Sequence, residues 1–261
     1  MLDERAFLPL DLAEPPFGLP PGLATVARVR VFEPPAALVR QGEVSDRLFV
    51  IERGAVEWSV SQPSGRTATL GLLGPGDVVG LEATADAVEP VGGPGYRMGS
   101  APFRTGLVPA ARAFTTVRAA CLPVRVAVQM ARTSVDTAEW LAGAWVRRGM
   151  LLERRLASTV AVPVVDRVLQ VLRELTGPWG QPTLEGIRIG LPLHQDCLAS
   201  LAGVTRESVN RALRRLAGSG LVVRYGRFYT LRGGDAPEER DPTIALMSKA
   251  GCGQAWANRS S

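Results

Sequence analysis

Histidine, cysteine and lysine are scarce in this chain of 261 residues. The shortages of cysteine and of histidine each exclude a kind of site. The three cysteines, Cys121, Cys197 and Cys252, are widely spaced, which fits neither a disulfide framework nor a zinc site. His194 is the only histidine, and it does not belong to a Ser-His-Asp catalytic set. The sequence also has no nucleotide-binding loop motif. We therefore expect neither catalytic residues nor a metal.

Long apolar runs are also missing from the sequence. Arg, Gly or Pro interrupts the hydrophobic stretches before they reach the length of a membrane span, and the N-terminal residues lack the charged-then-apolar order of a signal peptide. Hydrophobic residues nevertheless make up 46% of the chain, which is enough for a packed core. These features predict a cytoplasmic globular protein with no membrane partner.

The excess positive charge is concentrated in one stretch. Residues 186–232 contain eight basic and two acidic side chains, a net charge of +6, whereas the whole chain has a net charge of +5. A concentrated basic surface attracts polyanions. Because every basic residue in this stretch is an arginine, bidentate contacts to phosphate and guanine are available there.

Residues 28–133 have the pattern of a β-domain. Glycine and proline turns separate short alternating segments, which predict strands at 26–32, 47–54, 55–62, 67–73 and 114–122. This spacing is typical of an antiparallel jelly roll. The Gly/Pro-rich segment 84–111 is predicted to be a long loop inserted in the roll, and residues 1–27 an irregular lead-in.

Residues 134–160 change to a helical period. Small and apolar residues recur at alternating spacings of three and four, as in a two-helix coiled coil, and predict a seam at Ala142, Trp145, Gly149, Leu152 and Leu156. We expect this helix to pair with the same helix of a second copy. The alternative is a helix that lies on its own barrel.

A winged helix-turn-helix is predicted within residues 161–232. In the stretch IRIGLPLHQDCLASLAGVTRESVNRALRRLAGSGLVVRYGRFYTL, a first helix is followed by a short turn at Gly203, and Thr205 is a good N-cap for a second helix. Two short strands joined near Gly226 then form the wing.

The ends of this domain are predicted from proline and glycine. A helix is expected to start at Pro163 and to end at Gly177-Pro178. Residues 233–261 show no periodicity and are predicted to be a flexible tail.

Polar side chains line the outer side of the second helix, in the two turns that enter the major groove in this motif. We call these four residues the reading face: Arg206, Glu207, Asn210 and Arg211. Arg can bond O6 and N7 of guanine, and Glu can accept from N4 of cytosine. Glu207 and Arg211, four residues apart, are also expected to pair. Phosphate contacts are predicted at His194, Gln195, Thr205, Ser208, Arg224 and Arg227.

The segment GVTRESVNRALRRLAGSGLV, with the wing that follows, resembles the DNA-binding domain of the CRP/FNR family of bacterial transcription regulators. The upstream segments QGEVSDRLFVIERGAVEW and GPGDVVGLEA resemble the effector-binding jelly roll of that family. The resemblance implies an α+β fold. Its expected parts are an N-terminal antiparallel β jelly roll of the cyclic-nucleotide-binding kind, a long dimerisation helix and a C-terminal winged helix-turn-helix.

Arg206, Glu207 and Arg211 match the trio with which the cyclic AMP-responsive members read TGTGA-type half-sites. The resemblance therefore implies a homodimer on a palindrome of the kind TGTGA…TCACA in double-stranded DNA, with RNA polymerase as a further partner. Two alternatives stay open at this point. One is an interaction module that kept the fold without specific DNA binding, and the other is an enzyme.

The effector pocket departs from the family pattern. Cyclic AMP-binding members have Gly-Glu followed, further along the chain, by Arg-Ser or Arg-Thr. In this chain Leu81 follows Gly80, so Glu82 comes one position later than the Glu of that pattern, and Arg112 lies one residue away from the position of its Arg. The nitrogen-control members, which bind 2-oxoglutarate, have an Arg and a Glu spaced like Arg148 and Glu153. The candidate pocket residues are Gly80, Leu81, Glu82, Arg112, Arg148 and Glu153. A 2-oxoglutarate-like effector is favoured over cyclic AMP, and a roll without a ligand is the alternative.

Overall fold

A computed structural model describes residues 18–62, 65, 67–85 and 108–232 of the chain. The first part is rich in strands. Its elements, in chain order, are α1 (Pro21–Val26), β1 (Arg28–Phe32), β2 (Ala37–Val39), β3 (Arg47–Arg53), β4 (Val56–Ser61), β5 (Thr67–Leu73), β6 (Val78–Val79), α2 (Glu82–Ala85), β7 (Ala110–Ala113), β8 (Val117–Pro123) and α3 (Val124–Ala131).

These strands form two four-stranded antiparallel sheets, with spatial orders β1-β8-β3-β6 and β2-β7-β4-β5. Apolar side chains from both sheets fill the space between them, among them Phe32 and Phe49, whose rings meet edge-on with centroids 5.6 Å apart. Aromatic pairs favour this geometry because the positive edge of one ring meets the negative face of the other. The predicted β-roll is confirmed.

Two loop predictions in the roll are wrong where the structure describes them. Residues 21–26 of the predicted irregular lead-in form α1, because Leu23 is fully buried in the core beside α3. The predicted loop 84–111 includes the end of α2 and, at Ala110 and Ala111, the start of β7. Residues 1–17, 86–107 and the predicted tail 233–261 lie outside the described residues.

The predicted long helix is α4 (Val135–Ala161). It begins at Ser134, whose Oγ accepts a hydrogen bond from the backbone N–H of Thr137 at 3.3 Å. That bond satisfies one of the free N–H groups of the first turn. The sequence thus places both the start and the length of α4 correctly.

The helix α5 (Val164–Trp179) follows at Pro163, as predicted, but its predicted end at Gly177-Pro178 is wrong. Pro178 lies in the last turn of α5, and the helix continues through it to Trp179. Trp179 is held in place because its indole N–H donates to the carbonyl of Gly54 in the roll, at 3.2 Å. A tertiary contact therefore extends the helix past a local stop signal.

The rest of the described chain forms a small winged domain. Its elements are β9 (Gly180–Thr183), β10 (Gly186–Ile189), α6 (Gln195–Ala202), α7 (Arg206–Gly218), β11 (Val222–Tyr225) and β12 (Phe228–Leu231). The strands make one sheet with the order β11-β12-β10-β9. The hairpin of β9 and β10 is an addition to the predicted elements, since its short strands contain Gly and Pro and lack a clear alternation.

The winged domain packs against the roll. Its core is continuous with Ala55 and Leu72 of the roll, and α6 lies against β5. Trp179 closes the contact, because Cζ2 of its ring lies only 2.8 Å from the position that a Cβ at Gly74 would occupy, which is too close for both atoms. The absence of a side chain at Gly74 thus allows α5 to approach the roll.

Candidate nucleic-acid interface

The turn between α6 and α7 is built from small residues. Gly203 adopts a left-handed conformation with φ of 62°, which costs a glycine little and disfavours residues with a Cβ. Ala199 is buried where the two helices cross, and Val209 and Leu213 bury the inner side of α7. Thr205 caps α7 by accepting from the backbone N–H of Ser208 at 3.2 Å. The helix-turn-helix predicted from the sequence is confirmed.

The inner packing of α7 leaves its reading face outside. Arg206, Glu207 and Arg211 are exposed, and Asn210 is half-buried. The predicted Glu207–Arg211 pair is absent from the described part of the chain, because Arg211 instead contacts the Oγ of Ser208 at 3.3 Å. Glu207 is thereby left available to an external partner.

The sequence reasoning missed two side chains beside this face. Arg214 is exposed and lies three residues after Arg211, so it continues the same side of α7 by about one further turn. Asp196, near the start of α6, places its Oδ2 3.5 Å from Nη1 of Arg206. Helical spacing could have identified Arg214, whereas the contact of Asp196 depends on how the two helices cross.

The wing brings the predicted phosphate residues together. Its turn at Gly226 has φ of 61°, and Arg224 donates from Nε to the Gly226 carbonyl at 2.8 Å. Arg227 lies 3.3 Å from Nε2 of His194, which connects the wing to the start of α6. Gln195 follows His194 as the first residue of α6 and is half-buried. The polar surface at the start of α6 therefore continues into the wing, where Arg224 and Arg227 supply positive charge.

Thr205 and Ser208 occupy a different position from the arginines. Their hydroxyl groups contact each other at 3.0 Å as part of the cap of α7. Their predicted phosphate contacts would therefore come from the same atoms that shape the start of α7.

The predicted effector residues of the roll separate into two groups. Glu82 and Arg148 are brought together, with Oε1 and Nη1 3.5 Å apart. Arg148 is only 6% exposed, donates to the carbonyl of Val78 at 2.7 Å, and has its guanidinium 4.2 Å from the centroid of the Trp58 ring. Burial lowers the pKa of Arg148, and the nearby Glu82 opposes that change. This is a buried, fully engaged cation rather than a surface charge.

The remaining predicted pocket residues do not converge on Arg148. Glu153 is exposed, and the carboxylate beside Arg148 is that of Glu82. Arg112 is exposed on β7. Leu81 is buried in the apolar core of the roll, and Gly80 adopts φ of 87° at the turn that leads into α2.

Sequence reasoning missed the third charged group of this region, Asp77. Burial raises the pKa of its carboxyl, while a backbone hydrogen bond from Gly74 and the charges of Arg148 and Arg147 lower it. Its Oδ2 accepts from the Gly74 N–H at 2.8 Å. Asp77 and Glu82 thus provide two carboxylates near one buried guanidinium.

The predicted dimer seam needs one correction. Trp145 faces its own roll, because its indole N–H donates to Oγ1 of Thr84 at 3.0 Å. Val146, the next residue, is instead exposed on the outer side of α4. The other predicted seam positions are exposed or partly exposed: Ala142, Gly149, Leu152 and Leu156. We call the residues Ala142, Val146, Gly149, Leu152, Leu156 and Val160 the outer stripe.

Two arginines tie α4 and α5 to the helix-turn-helix. Arg155 donates to the carbonyl of Leu201 at 3.1 Å, and Arg167 lies 3.4 Å from the carbonyl of Ala202. Both carbonyls are at the C-terminal end of α6, where cations are favoured by the helix dipole. The end of α4 is therefore bonded directly to the DNA-binding motif.

The described residues also bear on metal binding and on membrane insertion. No group of three or more His, Cys, Asp or Glu side chains in the described ranges is placed to hold a metal ion. Within those same ranges, no helix combines the length and apolar content that a membrane span requires.

Family models match both units of the chain. Residues 29–89 match the cyclic nucleotide-binding domain, and residues 166–233 match the Crp-like helix-turn-helix domain. The first match covers the roll as far as α2, and the second covers most of α5 and the winged domain. The two models occur in the same order as the two structural units.

Relatives of known name and structure agree with these matches. The chain is 28% identical over 187 residues to the CRP-like cAMP-activated global transcriptional regulator of Mycobacterium tuberculosis, covering 72% of this chain and 76% of that protein. The fold of this chain is similar to that of FixK2 from Bradyrhizobium japonicum. The TM-score is 0.63, and the identity is 21% over 80% of this chain and 93% of FixK2.

A second solved structure, the c-di-GMP-responsive global regulator CLP of Xanthomonas campestris, has a TM-score of 0.61. It shares 20% identity over 80% of this chain and 95% of its own. The family is one of transcription regulators and not of enzymes. The order of the matched domains, the exposed recognition helix and these likenesses place the chain in the CRP/FNR family, as a DNA-binding transcription regulator with a sensor domain of the cyclic-nucleotide-binding type.

Proposed function

We propose that this protein is a homodimeric cytoplasmic regulator that reads palindromic TGTGA…TCACA sites and controls transcription through contact with RNA polymerase. The observation that carries the proposal is the reading face on α7. Its charged residues are exposed in the first two turns, while the opposite side of the helix is fully packed. A helix of this kind enters the major groove with its N-terminal residues against the base edges.

The roles on the reading face follow from hydrogen-bonding chemistry. Arg206 and Arg211 each offer a planar fork of donors that fits O6 and N7 of guanine. Glu207, which is exposed, can accept from the amino group of cytosine. Arg224, Arg227 and Arg214 then supply charge for the phosphates on either side of the groove.

Pairing through the outer stripe supports the palindrome. Leu152, Leu156 and Val160 of α4 are exposed in the single chain. Packing the same helix of a second copy against them would bury this apolar surface. A two-fold axis along the paired helices would present two copies of α7 to two half-sites in opposite orientation. Arg155 and Arg167 would transmit any change in the helix pair to α6.

The roll is assigned the role of sensor, because Arg148 joins it to the dimer helix. The bond of Arg148 to Val78 and its pairing with Glu82 hold α4 against β6 and α2 of the roll. A dicarboxylate of the 2-oxoglutarate type would have to replace Glu82 as the partner of Arg148. A roll that works without an effector, held by this internal pair, is the alternative.

The proposal is tested by fluorescence anisotropy of the full-length protein with a TGTGA…TCACA duplex and a scrambled duplex of equal length. Titrations are run over a range of salt concentrations, alone and with cyclic AMP or 2-oxoglutarate. We expect binding to the palindrome that is at least about a thousandfold tighter than binding to the scrambled duplex. A shift caused by either ligand would identify the class of effector.

Equal and wholly salt-dependent binding to both duplexes would overturn the proposed reading of TGTGA. A palindrome with one half-site scrambled is the control for the dimer. We expect it to bind much more weakly than the intact palindrome if two copies of α7 bind together.

A further inference from the structure

An acidic side chain faces the reading face from the other helix of the motif. Asp196 is the second residue of α6, and its carboxylate oxygen lies 3.5 Å from the guanidinium of Arg206, the first residue of α7. The side chains are 71% and 64% exposed, respectively. This ion pair therefore lies on the very surface that the proposed function directs toward DNA.

Stability does not account for the placement of this carboxylate. Exposed ion pairs contribute little to folding, because water and salt screen them and two long side chains must be ordered. A carboxylate in the first turn is favourable at any helix N-terminus, and Asp166 has that position in α5. The distinguishing property of Asp196 is that an arginine of the reading face lies opposite it.

The pair has a clear consequence when DNA approaches. A carboxylate near the phosphate backbone is repelled, so it weakens binding to every sequence. It also competes with phosphates for Arg206 and keeps that guanidinium from bonding to whichever phosphate is nearest. A guanine edge offers two acceptors in the geometry of the arginine fork, so it can still draw Arg206 away from Asp196.

We propose that Asp196 is a specificity-determining residue, which holds Arg206 for base reading and lowers the affinity for non-cognate DNA. This inference rests on the proposed function, since it takes Arg206 to be a base-reading residue. The carboxylate of Asp196 lowers the affinity mainly for non-cognate sequences. Because specificity is a difference of affinities, this selective loss raises the specificity.

The test uses Asp196→Asn in the full-length protein, with the palindromic and scrambled duplexes in anisotropy titrations. We expect the affinity for the scrambled duplex to rise about fivefold and the affinity for the palindrome to change by about twofold or less. The ratio of the palindrome affinity to the scrambled-duplex affinity therefore falls. Asp166→Asn is the matched control, because it removes the same charge from the first turn of another helix. It should leave the ratio unchanged.

A double variant separates this inference from the proposed function. In a protein with Arg206→Ala, adding Asp196→Asn should leave the ratio where Arg206→Ala alone puts it. A further fall there, or equal ratios for Asp196→Asn and Asp166→Asn, would overturn the role of Asp196. If Arg206→Ala alone leaves the ratio unchanged, the proposed base-reading role of Arg206 fails instead. Asp196→Glu, which keeps the charge, should retain most of the ratio.

Discussion

Arginines in two regions of this molecule have opposite surroundings. On the inner side of α4, Arg148 is buried, and its guanidinium bonds to Val78, pairs with Glu82 and lies over Trp58. On the reading face, Arg206 is mostly exposed, and among the described residues its one ion pair is the long contact with Asp196. The two side chains are chemically identical, and the difference lies in where their partners are found.

The comparison shows how position assigns a task to a charge. A buried cation must be paired and hydrogen-bonded within the chain, because leaving water is costly. Arg148 is therefore committed to holding α4 on the roll. An exposed cation on a helix whose other side is packed keeps its hydrogen-bonding capacity for an external anion, and Arg206 has this arrangement.

The largest effect is expected from removing the buried cation. Arg148→Ala leaves Glu82 with little solvent and no cationic partner, and we expect a loss of about 3 kcal/mol in the free energy of unfolding. Urea unfolding followed by circular dichroism measures this loss. Arg214→Ala, which truncates an exposed arginine on α7, should cost about 0.5 kcal/mol or less. Equal losses for the two variants would mean that Arg148 is not structural.

The second effect concerns binding, and it compares two arginines of the interface. Arg206→Ala should cost about 2 kcal/mol in binding to the palindrome, confined to one base pair of each half-site. Arg227→Ala should weaken the palindromic and scrambled duplexes alike and reduce the salt slope by about one. Anisotropy titrations on single base-pair variants of the duplex measure both. Identical behaviour of the two variants would contradict the separation of base and phosphate roles.

The third effect tests the outer stripe of α4 against its inner side. Leu156→Arg places a charge within the proposed dimer contact, and we expect the dimer dissociation constant to rise at least about tenfold. Sedimentation velocity over a concentration series measures the change. Leu184→Arg is the control, because Leu184 is fully exposed between β9 and β10, away from α4. A variant that is dimeric to the same degree as the control would exclude this seam.

The smallest effect concerns a buried thiol between the two regions. Burial is the main cause that raises the pKa of Cys197 to about 12, and the charge of Glu57 adds to it while Arg155 opposes it. The thiol of the unfolded chain ionises near its ordinary pKa of 9.0, so the folded state loses stability as the pH rises from that value toward about 12.

The pH dependence is isolated by subtraction. Between pH 8 and pH 10, the free energy of unfolding should fall by about 1 kcal/mol more for the native protein than for Cys197→Ala. Urea unfolding of both proteins at the two pH values measures it, and the other titrating groups cancel in the difference. Parallel falls in the two proteins would show that the thiol is solvated.

Local patterns predicted the DNA-binding motif well. The cap at Thr205, the turn at Gly203 and the heptad-like spacing of α4 each depend on residues that are close in sequence. Short-range rules therefore suffice for the helices and for the exposure of the reading face. The roll was predicted for the same reason, since alternation and glycine turns are local signals.

Predictions failed where a side chain had to choose between neighbours distant in sequence. Glu82 of α2, which is distant from Arg148 in sequence, pairs with it, and spacing within α4 could not have shown this. Trp145 fits the heptad seam, yet the hydroxyl of Thr84 holds it on the roll. Pro178 is a local stop signal, yet α5 continues because Trp179 bonds to Gly54.

By itself the sequence determined the order of the units, the recognition helix and the chemistry that its outer side offers, because these follow from spacing, caps and charge along short segments. Only the tertiary structure decided which arginines are available. Burying a guanidinium requires partners from several elements at once, and packing brings Val78, Glu82 and Trp58 to Arg148 while leaving Arg206 beside Asp196 at the surface.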